Sequence, residues 1–247
     1  MAKYVAKRLV TGAAALLFLT FLTFVMAHKM PGNPFDTGNV SEQVLQTIEE
    51  EYGLGEPLQV QFAFYMKNLL RGDLGMSIKK PGVTVNSVIA RSLPVTAKLG
   101  ILAFLSSLIL GTLLGIWHLM TKRKLVKKVI LFIESVGIGV PNFVYALLFM
   151  LIFGVYLKWF PIAGITTPMN YVLPVAALAV YPTCVISRMF YSAVQKEYTQ
   201  EYVMFLKAKG LKESAILMRH MWRPALTQLL TYLGQLLVYL VTGCFVV

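Results

Sequence analysis

Five stretches of this chain run without Lys, Arg, Asp or Glu for long enough to cross a bilayer: residues 9–28, 99–121, 135–157, 171–187 and 224–247. Crossing roughly 30 Å of hydrocarbon takes about 20 apolar residues of helix. A segment in lipid must satisfy its own backbone polar groups, which a helix does internally. The runs therefore predict five membrane-spanning helices. Composition agrees: with 57% hydrophobic and 14% charged residues and a mean hydropathy of +0.68, an ordinary soluble domain is excluded.

The first run follows Lys3, Lys7 and Arg8 and has the outline of a secretory signal. It is longer than the roughly 7–15 residues of a signal's apolar region, and no small-x-small cleavage site follows it. A retained first span over 9–30, after a short N-terminus over 1–8, is the expectation.

Orientation follows from the basic residues, which are retained on the cytoplasmic side. Fifteen of the 23 Lys and Arg lie in the N-terminus, in the 122–128 loop (Lys122, Arg123, Lys124, Lys127, Lys128) and between 188 and 223. Seven of the eleven acids lie between Asp36 and Asp73, on the other side. The net charge of +12 is thus a topology signal, and no nucleic-acid partner is expected. The N-terminus and the 188–223 region are expected in the cytoplasm. The remaining spans are placed at 93–121, 129–157, 171–194 and 224–247, with an outward turn at 158–170.

Residues 31–92 are too polar to cross. Asn39 and Glu42 form a helix-cap pattern, Val44, Leu45, Ile48 and Tyr52 a helical stripe, and Gly53 a stop. A second short helix is expected from Pro57 to about Gly72. They read as amphipathic helices on the outer face, serving either as a cap over helix ends or as a docking surface.

Cys184 and Cys244 are too few for a disulfide framework, and His28, His118 and His220 lack metal-ligand spacing, so these are read as packing or interfacial residues. Glu134 adjoins a span and lies six residues past Lys128, which places it near the cytoplasmic interface rather than in a proton relay. Pro141 and Pro174 within spans are read as packing adjustments. With so few ionisable residues in the spans, an ion-coupled transporter is poorly supported. No channel-filter loop or catalytic constellation is present in the sequence either.

Between the last two spans runs TQEYVMFLKAKGLKESAILMRHMWRPAL, residues 199–226, with five Lys or Arg and two Glu. Leu211, Ala215, Met218 and Trp222 recur at helical spacing, as do Tyr202, Phe205 and Leu206 before Gly210. Two short helices broken at Gly210 are expected, each with an apolar and a basic side. They either rest on anionic lipid or form a knob for a cytoplasmic partner.

This stretch resembles the cytoplasmic coupling loop of ABC importer permeases. The general Glu-Ala-Ala triplet is replaced by Met204-Phe205-Leu206, and Pro224 falls one residue late. The match is closer to the oligopeptide, dipeptide and nickel branch, through Tyr202-Val203, Ala208-Lys209-Gly210-Leu211 and Arg219-His220. YVAKRLV, PGNPFD with Asn33 in place of the usual Asp, RGDLGMS, VIARSLPVT, GVPNF and YVLPVAALAV resemble further landmarks of that branch, in its order.

The resemblance implies an all-α polytopic transmembrane bundle, the first permease type of the branch, without catalytic residues of its own. Implied partners are a second homologous permease, two ATPase subunits carrying ATP and Mg, an extracytoplasmic solute-binding protein, and the lipid bilayer. Tyr202, Val203, Phe205, Ala208, Lys209, Gly210, Leu211, Arg219 and His220 would form the ATPase-coupling surface, residues 195–223. The absence of a G-x-x-x-x-G-K-[ST] motif from this sequence fits an ATPase on a separate chain. The pathway would be lined mainly by the second to fifth spans.

The family has six spans where this chain has five, so a further loop and helix beyond Val247 are expected. Peptides are the expected cargo, since clustered His, Cys or Met ligands are lacking in the outward region. Nickel, metallophore or glutathione import is the alternative within the class, and a membrane scaffold subunit the alternative outside it.

Overall fold

The structure is a computed structural model and describes residues 1–29, 53, 55–77 and 82–243, apart from the side chain of Met218. The expected first outward helix, with its Asn39 cap and Tyr52 stripe, lies outside the described residues. Among the described residues there is no strand, only an isolated bridge between Met76 and Thr84. The chain divides into two compact units, Met1–Arg91 and Ser92–Val247.

In the first unit, α1 (Ala2–His28) buries none of its residues, and Leu16 and Phe18 stay largely exposed. An unburied helix with no charged residue from Leu9 to Ala27 is what a lipid-facing span looks like without its lipid. Its C-terminal end meets α2 (Leu58–Leu70) through aromatic rings: Phe21 and Phe24 lie 5.2 and 5.3 Å from Phe62, and Phe24 lies 5.7 Å from Tyr65. Pro57 precedes α2 as its N-cap, close to the first-turn position expected for it.

The RGDLGMS segment folds into a buckle. Gly72 and Gly75 both take φ +80°, which L side chains rarely adopt. The Asp73 carboxylate accepts from the Gly75 N–H at 2.9 Å. The Asn86 amide bridges the loop, accepting from Leu74 N–H at 2.8 Å and donating to the Gly72 carbonyl at 2.6 Å.

The second unit carries the core. Helix α3 (Val85–Met120) runs into it and presents Gly100, Ala103, Ser107, Gly111, Gly115 and His118 as a buried stripe of mostly small residues. Such a stripe lets helices approach closely where no hydrophobic effect drives them together. A Cβ added at Gly111 would lie 2.8 Å from the Thr183 carbonyl, so α3 touches the backbone of α6 (Val172–Tyr198) there. Helix α6 is the most buried element, packing against α4 (Lys124–Gly139), α5 (Asn142–Phe149) and α9 (Trp222–Gly243).

Over 129–157, where the third span is expected, the helix is broken. Helices α4 and α5, the latter continued by a π-helical segment Met150–Tyr156, meet at 104°. Pro141 is the cause: it forces Val140 into an extended conformation (φ −93°, ψ 129°) and cannot donate to the helix ladder. The Val136 carbonyl, which accepts from the Val140 N–H at 3.0 Å, also accepts from the Tyr145 hydroxyl at 2.8 Å, tying α5 back to the end of α4. Asn142 donates to the Tyr239 hydroxyl at 2.8 Å, tying the break to α9. Pro174, by contrast, sits in the first turn of α6 and bends nothing; Pro182 is the proline inside that helix.

Among the described residues four helical runs are long and apolar enough to cross a membrane, and five if the bent pair counts as one span. The all-α polytopic architecture is as the sequence predicts.

Candidate coupling surface and a buried polar centre

Helix α7 (Glu201–Ala208) starts after an extended Gln200, with Glu201 in its positive first turn and Lys207 in its last. Val203 is fully buried and joins the core of the second unit with Phe190, Val194, Ile216 and Leu217. On the opposite side Met204 and Phe205 remain 69% and 60% exposed. One residue anchors the helix while its neighbours face outward.

Its end is a Schellman motif. Gly210 takes φ +79°, its N–H donates to the Lys207 carbonyl at 2.9 Å, and the Leu211 N–H reaches the Leu206 carbonyl at 3.3 Å. Leu206 and Leu211 both pack on the core, the apolar contact that accompanies this cap. The Ala-Lys-Gly-Leu run thus has a physical reason: glycine for the left-handed residue, leucine for the clasp. Lys209 places its ammonium 4.5 Å from the Phe205 ring, and Lys207 sits 3.9 Å from that of Tyr198. The Tyr202 hydroxyl donates to Glu197 Oε2 at 2.8 Å; burial and that carboxylate push its pKa up to about 12.

Two expectations about this segment change. The second short helix is not separate: α8 (Glu213–Ile216), a π-helical turn Leu217–Met221 and α9 follow one another without interruption. Pro224 explains the wide turn, since a proline ring would clash with the His220 carbonyl in a regular helix. The buried face also differs from the Leu211–Ala215–Trp222 stripe: Ala215 is exposed, and Ile216, Met221, Ala225 and Leu229 are buried. The five-residue step from Ile216 to Met221 is the wide turn's own period. In the first stripe, Val203 rather than Tyr202 or Phe205 faces the core.

The structure therefore groups Tyr202, Val203, Phe205, Ala208, Lys209, Gly210 and Leu211 on α7 and its cap. Arg219 and His220 stand apart on the wide turn, Arg219 exposed and His220 half-buried.

Glu134 is not at an interface with solvent. It is fully buried on α4, on the face formed with Ile130 and Gly137. Ser187 of α6 donates to its Oε1 at 2.6 Å, and Nδ1 of His118 lies 3.4 Å from the same oxygen. The His118 ring stacks on Tyr191 at 4.0 Å. Glu134 Oε2 and His118 Nε2 have no hydrogen-bond partner. A Cβ at Gly137 would overlap Cys184 Sγ, so the carboxylate is held where α4 and α6 are closest.

The serine donates to the carboxylate and not to the imidazole, so the three groups are not ordered as in a Ser-His-acid triad. Sequence reasoning missed this centre because a single Glu beside a basic loop looks interfacial. The signal was in the helical spacing, which puts Glu134 on the same face as Gly137, and His118 at the end of the small-residue stripe.

Comparison with known proteins fits these features. Residues 107–247 match the family described as binding-protein-dependent transport system inner membrane component, and residues 1–100 match its N-terminal membrane-component family. The dipeptide transport system permease protein DppB of Bacillus subtilis (strain 168) is 39% identical over 248 residues, covering 100% of this chain and 80% of that protein. The oligopeptide transport system permease protein OppB of Haemophilus influenzae is 34% identical, covering 100% and 82%. DppB of Lactococcus lactis subsp. cremoris is 33% identical, covering 98% and 80%. The chain belongs to the binding-protein-dependent ABC importer permeases, in their dipeptide and oligopeptide branch.

Proposed function

We propose that this chain forms half of a peptide pathway across a bacterial inner or plasma membrane, with its N-terminus in the cytoplasm. A second homologous permease supplies the other half, two ATPase subunits bind and hydrolyse ATP with Mg, and an extracytoplasmic binding protein delivers the peptide. This chain itself carries out no catalysis. The coupling surface is α7 and its cap, where Met204, Phe205 and Lys209 meet an ATPase subunit. The observation that carries the reading is the anchoring of an exposed Phe205 beside a fully buried Val203, so that force on one side of α7 reaches the core. Peptide cargo is supported by the names of the relatives.

The test is reconstitution of this chain in liposomes with the permease, ATPase and binding protein expressed alongside it. Peptide-stimulated ATP hydrolysis and peptide uptake are expected, both lost when the α7 surface is altered. Stimulation by nickel or glutathione instead of peptides would overturn the cargo; an ATPase rate indifferent to α7 would overturn the coupling role.

A further inference from the structure

We infer that the second unit carries a site for one anionic phospholipid, in a groove beneath the coupling segment. The groove measures about 780 Å³ and lies where the ends of α3 and α6 meet the start of α4 and α8. That size is within the roughly 300–1,000 Å³ typical of ligand pockets.

Its chemistry is divided. Leu119, Val194 and Leu217 form an apolar floor that belongs to the core of the unit. Lys122, Lys127 and Lys212 contribute cations at the walls. Among the described residues the one ion pair is His118 with Glu134, so none of these lysines has a carboxylate partner. The groove also holds one acid, Glu213, and Tyr198, whose ring lies 3.9 Å from the Lys207 ammonium.

Three unpaired ammonium groups around an apolar floor match an amphiphile with a phosphate. A free phosphate or nucleotide would leave the floor wet, whereas the glycerol and upper acyl chains of a phospholipid cover it. The floor is also in line with two span ends, Met120 of α3 and Val194 near the end of α6, which is where a lipid headgroup lies. Cations at that level attract anionic lipid. The lipid would wedge between the basic loop and the base of the coupling segment.

The test uses the whole transporter complex, purified with its ATPase subunits, and native mass spectrometry of bound phosphatidylglycerol against phosphatidylcholine. The wild type is expected to retain one phosphatidylglycerol selectively. Each lysine changed to Gln should weaken it about fivefold, and K122Q/K127Q/K212Q roughly a hundredfold. The triple Lys→Arg variant should retain it. If the triple Gln variant does not fold, the single variants still read the fivefold steps. Equal retention of both lipids, an unchanged affinity in K122Q, or displacement of the lipid by excess inorganic phosphate would overturn the proposal. So would loss of the ATPase subunits with lipid unchanged, which would make the groove a protein interface. Peptide-stimulated ATP hydrolysis in the same preparation reads the transport function separately, so the two ideas fail independently.

Discussion

The α7 surface and the Glu134 centre lie in the same unit and are built in opposite ways. On α7 large apolar side chains face outward and a small one, Val203, holds the helix to the core. At the centre the polar side chains are fully buried and large apolar neighbours, Leu131, Phe132 and Ile133, face outward from α4. In water the second arrangement would be inside-out; beside lipid it is the sensible one, because the exterior is as apolar as leucine. Under the proposed function the same exposed phenylalanine means lipid on α4 and a protein partner on α7, and mutation should separate the two.

The largest effect is expected from Glu134→Ala. It removes the acceptor for Ser187 and the neighbour of His118, leaving both buried and unpaired. Orphaned buried polar groups cost about 1–3 kcal/mol each, so a loss of about 3 kcal/mol is expected. Thermal unfolding of the complex in nanodiscs measures it, and Glu134→Gln, which keeps an acceptor, should recover most of the loss. An unchanged midpoint for Glu134→Ala would mean that the centre contributes nothing to holding α3, α4 and α6 together.

Next comes Gly210→Val. The open space around this residue rules out a clash, so the cost is confined to a β-branched residue at φ +79°. Left-handed strain of that kind costs about 1–3 kcal/mol, so the cap should open, with loss of peptide-stimulated ATP hydrolysis and an unfolding midpoint lowered by no more than that cost. Gly210→Asn, which tolerates the left-handed region, should retain stimulation. If Val and Asn behave alike, the Schellman cap is not what matters at this position.

These two regions were unequally legible in the sequence. The break at Gly210 was visible because turn chemistry is local: a glycine that must be left-handed and a leucine that clasps behind it sit in four consecutive residues. The spans were visible because lipid demands uninterrupted apolar length. What could not be read was anything depending on helix partners. Glu134 is innocuous until Ser187 and His118 arrive from two other helices, and Pro141 marks a possible bend without fixing 104°. The buried stripe of the last helix was misread because a 3.6-residue period was assumed through a turn that Pro224 widens.

Phe205→Ala tests the outward side directly. An anchor at the centre of a protein interface is worth at least about 1.4 kcal/mol, or tenfold. A tenfold loss of stimulation is expected with stability within about 0.5 kcal/mol of wild type, as for an exposed position. A parallel change at the exposed Phe132 of α4 should leave stimulation intact. Equal losses at both would erase the distinction between a lipid-facing and a partner-facing phenylalanine.

The smallest effect belongs to Tyr202, whose hydroxyl ties α7 to Glu197 but is 38% exposed. Tyr202→Phe should cost no more than about 0.5 kcal/mol, since solvent competes for the same bond. Its pH dependence has a definite sign. The pKa is raised from the ordinary tyrosine value of 10.0 to about 12 in the folded protein by burial and the Glu197 carboxylate. The folded state therefore holds this proton more tightly, so the stabilisation is fully present below pH 10 and is lost as pH rises toward about 12. The difference in unfolding midpoint between wild type and Tyr202→Phe should stay constant from pH 6 to 9 and shrink only in alkali. A difference that changed across neutral pH would show that another titrating group holds α7 in place.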